Sequence, residues 1–213
     1  MKNKIFILVI VICAIAGFII LKNQNESKIE NAPSQPVPES ARFIRPHSPS
    51  YGNPLGHVRV VQWFDPECES CRMIHPVLKK IISDYKDRVH FVFRYMPYHG
   101  NSMFAAAALE EARELGKYDA AMDVLFENQP QWGSHHDPRP DLIPGYLTKL
   151  GIPADRLEKS YLIEKHGEKI RLDESDGKSI GVRGTPTFFV NEQMLSQLGE
   201  DPLRAAIEAA LKQ

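Results

Sequence analysis

Cysteine is scarce in this chain, with three among 213 residues. That is too few to staple a small fold with disulfides, so a buried core has to carry the stability. A basic excess is missing as well. Twenty-six Lys and Arg face 27 Asp and Glu, a formal net charge of −1, and without a strongly positive face the chain has no electrostatic footprint for nucleic acid. Glycine and proline number 13 and 16, which excludes a fibrous repeat, and they are too dispersed for disorder throughout. No heptad pattern or internal repeat is present, so the sequence offers no obvious oligomerisation device. The length suits about one domain with appendages.

Long apolar runs are absent with one exception. Residues 5–21, IFILVIVICAIAGFIIL, form 17 uncharged residues behind Lys2 and Lys4. This meets the lower limit for a bilayer-spanning helix and exceeds the roughly 7–15 residues of a signal-peptide core. A retained membrane anchor is the first expectation. A cleaved signal sequence is the alternative, because Ala14-Ile15-Ala16 has the small-x-small pattern of a signal peptidase site. Lipidation at Cys13 is disfavoured by the bulky Ile12 before it. Both lysines precede the run, so the positive-inside rule leaves the rest of the chain on the periplasmic or other extracytoplasmic side of the cell membrane. It is held there as a single-pass protein or released as a soluble one. The exported part then holds an even pair, Cys68 and Cys71, as an oxidising compartment suits.

Residues 22–57 are polar and contain Pro33, Pro36, Pro38, Pro46, Pro49 and Pro54. Such a stretch buries too little surface to fold alone and is expected to be a semi-extended tether, its second half free to pack as an edge strand or loop. From Val58 the texture changes. VRVVQWF (58–64) has the β-branched and aromatic content of a short buried strand and runs directly into Asp65-Pro66-Glu67-Cys68-Glu69-Ser70-Cys71. Ile74, Val77, Leu78, Ile81, Ile82 and Tyr85 then recur at helical spacing, with Pro76 inside that helix. Val89, Phe91, Phe93 and Tyr95 alternate along a second strand.

A helix capped by Asn101 or Ser102 and closed by Gly116 is expected next, then helices at about 117–128, 141–150, 153–165 and 167–180. A late strand at Thr185-Pro186-Thr187-Phe188-Phe189-Val190, a short strand about Met194, and a final helix with Asp201 as cap and Pro202 first complete the pattern.

The β-α-β opening, the β-β-α ending, the Cys68-Glu69-Ser70-Cys71 turn after a buried strand and the Gly184-Thr185-Pro186-Thr187 segment resemble the thioredoxin fold. Cys71 and Pro186 lie 115 positions apart, which leaves room for a helical insertion at about 97–180. The chain is in this respect similar to the DsbA-like thiol-disulfide oxidoreductases. The expected architecture is α/β: a thioredoxin-like domain over residues 58–213, a tether over 22–57, and an anchor or signal over 1–21.

Thiol-disulfide exchange needs a thiolate and a second thiol near enough to resolve the mixed disulfide. Cys68 at a helix start meets the positive end of the macrodipole, and Cys71 lies one turn on. Cys68 is thus expected to attack and Cys71 to resolve. The resemblance implies that Pro186 is cis and faces the pair, with Thr185 offering backbone to an extended substrate. It also implies cysteine-containing exported proteins as substrates, a membrane or periplasmic redox partner that resets the pair, and no bound cofactor.

Two positions depart from the DsbA pattern. Ser70 stands where histidine is usual, and Gln62 where a buried acid is usual. With Glu67 and Glu69 flanking Cys68, a weakly stabilised thiolate is expected, and with it a moderate oxidase or an isomerase or reductase. Other readings remain: a permanent intrahelical disulfide, a trans proline on an edge strand, or a copper or zinc module completed by His75, His135 or His136.

Overall fold

The computed structural model describes residues 39–213. The expected anchor at 1–21 and the first part of the tether lie outside them. Among the described residues no helix is long and apolar enough to cross a membrane.

The chain opens with α1 (Glu39–Phe43) and β1 (Ser50–Gly52), both inside the segment expected to be tether. Phe43 explains the first: this lone aromatic is 4% exposed and packs edge-on against Trp63 and Phe189. Ser50–Gly52 explains the second, pairing antiparallel with residues of the strand Val89–Tyr95 at the sheet edge. Prolines at 46, 49 and 54 suggest solvated chain, but they flank this strand instead of interrupting it. Among the described residues, α1 and β1 accordingly pack as part of the folded unit.

Three strands make the sheet's centre. β2 (Val58–Phe64) and β3 (Val89–Tyr95) run parallel, joined by α2 (Glu69–Tyr85), and β4 (Thr187–Val190) lies antiparallel on the other side of β2. β5 (Gln193–Met194) closes the order β1-β3-β2-β4-β5. The two-residue side-chain period splits these strands between two cores. Val58, Val60, Phe64, Phe91, Phe93, Tyr95 and Phe188 face α2 and the C-terminal helix α8 (Glu200–Ala210). Val61, Trp63, Val92 and Phe189 meet Phe43, Met96 and Val182 on the opposite face.

Between β3 and β4 lies the expected helical block. It comprises α3 (Ser102–Glu114), α4 (Tyr118–Glu127), α5 (Gln129–Trp132), a 3-10 turn, α6 (Ile143–Thr148), a second 3-10 turn and α7 (Lys159–Ser179). The helices expected at 153–165 and 167–180 are largely one: after the 3-10 turn Ala154–Arg156, α7 runs unbroken through Gly167. Burial of Leu162, His166, Ile170 and Asp173 on its inner side offsets the roughly 1 kcal/mol that a helical glycine costs. The last helix starts at Glu200 behind Gly199, two residues ahead of the expected first position at Pro202. Gly199, with φ of +150°, turns the chain into it.

A buried ion network fastens the segment after α1 to α7. Arg45 forks onto Asp176 with two bonds of 2.8 Å, and His47 Nε2 lies 2.7 Å from Asp173 Oδ1. Arg94, fully buried on β3, donates to Asp173 at 2.8 Å, to Asp176 at 2.6 Å and to the Arg42 carbonyl at 2.5 Å. Gly177 marks where α7 comes closest to the sheet. A Cβ there would fall 2.5 Å from both Met96 Cε and Trp63 Nε1, and the indole is tied to the Asp173 carbonyl at 3.2 Å. Gly177→Ala is therefore expected to cost about 1–2 kcal/mol, overpacking outweighing the gain in helix propensity. A urea midpoint equal to or above that of the unsubstituted chain would contradict this contact.

Candidate redox-active site

β2 ends at Phe64 and the chain turns through Asp65-Pro66-Glu67 into α2, whose N-cap is Cys68. The Cys68 N–H donates to the Asp65 carbonyl at 3.1 Å, and the Cys68 carbonyl accepts the first helical bond, from Arg72 N–H, at 3.1 Å. Cys68 Sγ therefore stands where the backbone N–H groups of Ser70 and Cys71 are unsatisfied by the helix. Cys71, one turn on, is 1% exposed against 7% for Cys68, and both are free thiols.

Their acidities part sharply. Hydrogen bonding from the Cys71 thiol, then from the Cys71 and Ser70 backbone, outweighs burial and lowers Cys68 to about 5. Burial first, and the neighbouring Cys68 second, push the Cys71 thiol well above its ordinary range. The weak thiolate expected from Ser70 and the flanking glutamates is not what this geometry gives. Glu67 explains why: its carboxylate turns away from Cys68, accepting from Asn101 N–H at 2.7 Å, Asn101 Nδ2 at 2.9 Å and Ser102 Oγ at 3.3 Å. Asn101 is the N-cap of α3, but its side chain serves Glu67 and makes no cap bond.

Across from the pair, the Thr185–Pro186 peptide is cis, and the Thr185 carbonyl accepts from Cys68 Sγ at 3.3 Å. Residues 117 positions apart thus meet, Thr185 and Pro186 leading into β4 and Cys68 following β2, its antiparallel neighbour.

Several residues of this site carry no signal at the C-x-x-C itself. Asp65 is fully buried, and its N–H donates to Cys71 Sγ at 3.4 Å. Its carboxylate accepts from Glu67 N–H at 2.8 Å, Tyr98 N–H at 2.8 Å, His99 N–H at 3.2 Å, His99 Nδ1 at 2.7 Å, and the Ser102 hydroxyl. Gln62, where a buried acid was looked for, is itself buried, and the acid stands three residues later, at the strand's exit. His99 is raised above its usual value: burial opposes the shift, but the bond to Asp65 and the charges of Asp65, Cys68 and Glu67 outweigh it. Gln129, 1% exposed, straps the turn by donating Nε2 to the Pro66 and Cys68 carbonyls at 2.8 and 3.0 Å while accepting from Arg72 Nε at 3.1 Å. Only the D-P-E run directly after a buried strand hinted at any of them.

The histidines weighed as partners of the cysteines sit elsewhere. His75 pairs with Asp123 at 2.7 Å and its ring packs 4.9 Å from that of Phe126. His135 pairs with Glu69 at 2.8 Å, and the backbone N–H of exposed His136 donates to Ser134 Oγ at 3.2 Å. Among the described residues, neither cysteine belongs to a group of three or more side chains spaced to hold a metal ion.

The family model described as Thioredoxin matches residues 45–209. A curated relative, the Na(+)/H(+) antiporter NhaA 1 of Salinispora arenicola, is 30% identical over 138 residues, covering 63% of this chain and 20% of the relative. The chain thus spans about a fifth of the length of that protein. Among solved structures, a thioredoxin-like oxidoreductase from Silicibacter pomeroyi DSS-3 is 26% identical with a TM-score of 0.69, covering 83% of this chain and 99% of that one. BdbD from Bacillus subtilis, in its oxidised form, is 26% identical with a TM-score of 0.70, covering 78% and 94%.

Proposed function

We propose that this chain, which belongs to the thioredoxin family, is a DsbA-like, exported protein thiol-disulfide oxidoreductase that forms disulfides in cysteine-containing proteins. The observation that carries this is the asymmetric pair: a readily ionised Cys68 at a helix start, beside the Thr185 carbonyl, above a buried and reluctant Cys71.

The oxidised pair reacts with a substrate thiolate at Cys68 Sγ. A substrate–Cys68 disulfide forms, the Cys68–Cys71 bond breaks, and Cys71 leaves and takes up a proton. A second substrate thiolate then attacks the substrate sulfur of that bond and expels the Cys68 thiolate, which is a good leaving group because it is acidic. The substrate has lost two electrons and two protons, and the pair is now a dithiol. A membrane or periplasmic disulfide-bearing partner takes the electrons by the reverse exchange. Thr185 and Pro186 present backbone along which an extended substrate aligns as an added strand. Export follows from Lys2 and Lys4 ahead of the apolar run 5–21, which anchors the domain at the membrane or is removed after translocation. A periplasmic thioredoxin-like protein of Salmonella enterica, 26% identical with a TM-score of 0.68, supports that placement.

The direction of exchange rests on how well the reduced form is stabilised. An acidic Cys68 favours the dithiol, which makes the disulfide an oxidant. Equilibration of the full chain with glutathione is expected to give a potential above about −200 mV, between isomerase and DsbA values. A potential near the roughly −270 mV of thioredoxin would turn the assignment to a reductase.

A further inference from the structure

Glu69, the residue after Cys68, belongs to a second constellation. Its carboxylate, a nitrogen of His99 and a nitrogen of His135 lie within 4.8 Å of one another. Glu69 and His135 line a cavity of about 290 Å³ beside the start of α2, together with Arg72, Gln129, Gly133 and His136. His135 Nε2 lies 2.8 Å from Glu69 Oε1, and the His99 and His135 rings are 5.4 Å apart.

We propose that Glu69, His99 and His135 bind one divalent transition-metal ion of the zinc class at the rim of the redox site. Two imidazoles and a carboxylate are the donor set of many open zinc sites, with a fourth position left to water or an incoming ligand. His99 is prepared for the part. Its Nδ1 is held at 2.7 Å by the fully buried Asp65 carboxylate, which leaves Nε2 to ligate. A carboxylate behind the second ring nitrogen is the usual support of a metal-bound histidine, fixing its tautomer and raising its basicity. Glu69 and His135 are about half exposed, at 47% and 55% of the side chain, so both can close around an ion with bonds of roughly 2.0–2.2 Å. The other such cluster, the buried Glu111 and His166 with the exposed Glu114, lacks this readiness, since Lys165 and Arg156 already neutralise its carboxylates. An ion at Glu69 stands one residue along the chain from Cys68.

The test uses the full chain in detergent, with both thiols removed by Cys68→Ser and Cys71→Ser so that sulfur cannot contribute. Zinc chloride is titrated by calorimetry in a non-chelating buffer. One zinc per chain is expected, and adding His135→Ala, a change on an exposed loop, is expected to weaken binding at least tenfold. Absence of binding in the double variant, or binding that His135→Ala leaves unchanged, would overturn the site. Neither result bears on thiol exchange, because the cysteines are absent from both proteins.

Discussion

Replacing Cys68 by serine is expected to reduce oxidation of a dithiol peptide to the uncatalysed background, since the other thiol among the described residues, Cys71, is more deeply buried and has no partner left to form a disulfide with. Cys71→Ser is expected to act differently. It keeps the Cys68 thiolate, which attacks a disulfide of an already oxidised protein and expels one of its thiolates; without Cys71 to release it in this reverse direction, the mixed disulfide accumulates and is visible on non-reducing gels. Equal accumulation in both variants would reverse the assigned roles.

In the reduced wild type, alkylation of Cys68 by iodoacetamide is expected to rise with a midpoint near pH 5, where its thiol ionises in the fold, against about 8.5 for a free cysteine. Because that value lies below the roughly 8.5 of a cysteine in the unfolded chain, ionisation stabilises the reduced fold fully above about pH 8.5. This contribution declines as the pH drops towards 5. Stability of the reduced form should accordingly fall across that interval faster than stability of the disulfide form. Parallel urea midpoints of the two forms from pH 9 to pH 5 would count against an acidic Cys68.

Arg94→Ala is expected to be the most damaging substitution outside the redox pair. The guanidinium is wholly buried, bonds Asp173 and Asp176, and lies 5.3 Å from the Trp63 ring centre. Its loss strands two carboxylates in the core, with Arg45 and the more exposed His47 as their remaining ion-pair partners. Breaking one partner of a buried ion pair costs about 3–5 kcal/mol, read as a lowered urea midpoint at pH 7.

Acid should narrow the deficit. Burial alone would raise the Asp176 carboxyl, but the bonds from Arg45 and Arg94 hold it below its ordinary value of 3.8. Its contribution to the wild type is therefore full above about pH 4 and drains away as pH falls through the depressed value. In the variant the carboxyl protonates more readily, which relieves the stranded charge. A deficit that stays constant from pH 7 down to pH 3 would show that the cost is lost packing and not lost charge pairing.

What was legible in the sequence was what short range determines. Val58–Phe64 and Val89–Tyr95 alternate or cluster as buried strands must, and Ile74, Leu78, Ile81 and Tyr85 mark the inner face of α2. The Cys68–Cys71 turn and Thr185-Pro186 stood out because each is a compact pattern with a chemical reason. Long-range partners were not legible. Gln129 reaches Cys68 across 61 positions and Asn101 reaches Glu67 across 34, and nothing in the local spelling of either announces it. The glutamate beside Cys68 misled for the same reason. Adjacency in sequence suggested a repelling charge, whereas Asn101 and Ser102 draw that charge elsewhere. Arg45 and His47 lie in the polar stretch expected to be tether, and their partners Asp176 and Asp173 stand on a helix more than a hundred positions away.

The outermost strands of the sheet are three residues long on one side and two on the other. In the role proposed for it, this protein meets other chains before they have folded, amid loose backbone in search of a sheet to join. Margins this brief can template only a bond or two before the pairing runs out, so the sheet is a poor seed for co-precipitation with the chains it serves. Each encounter then lasts only as long as the sulfur bond that made it.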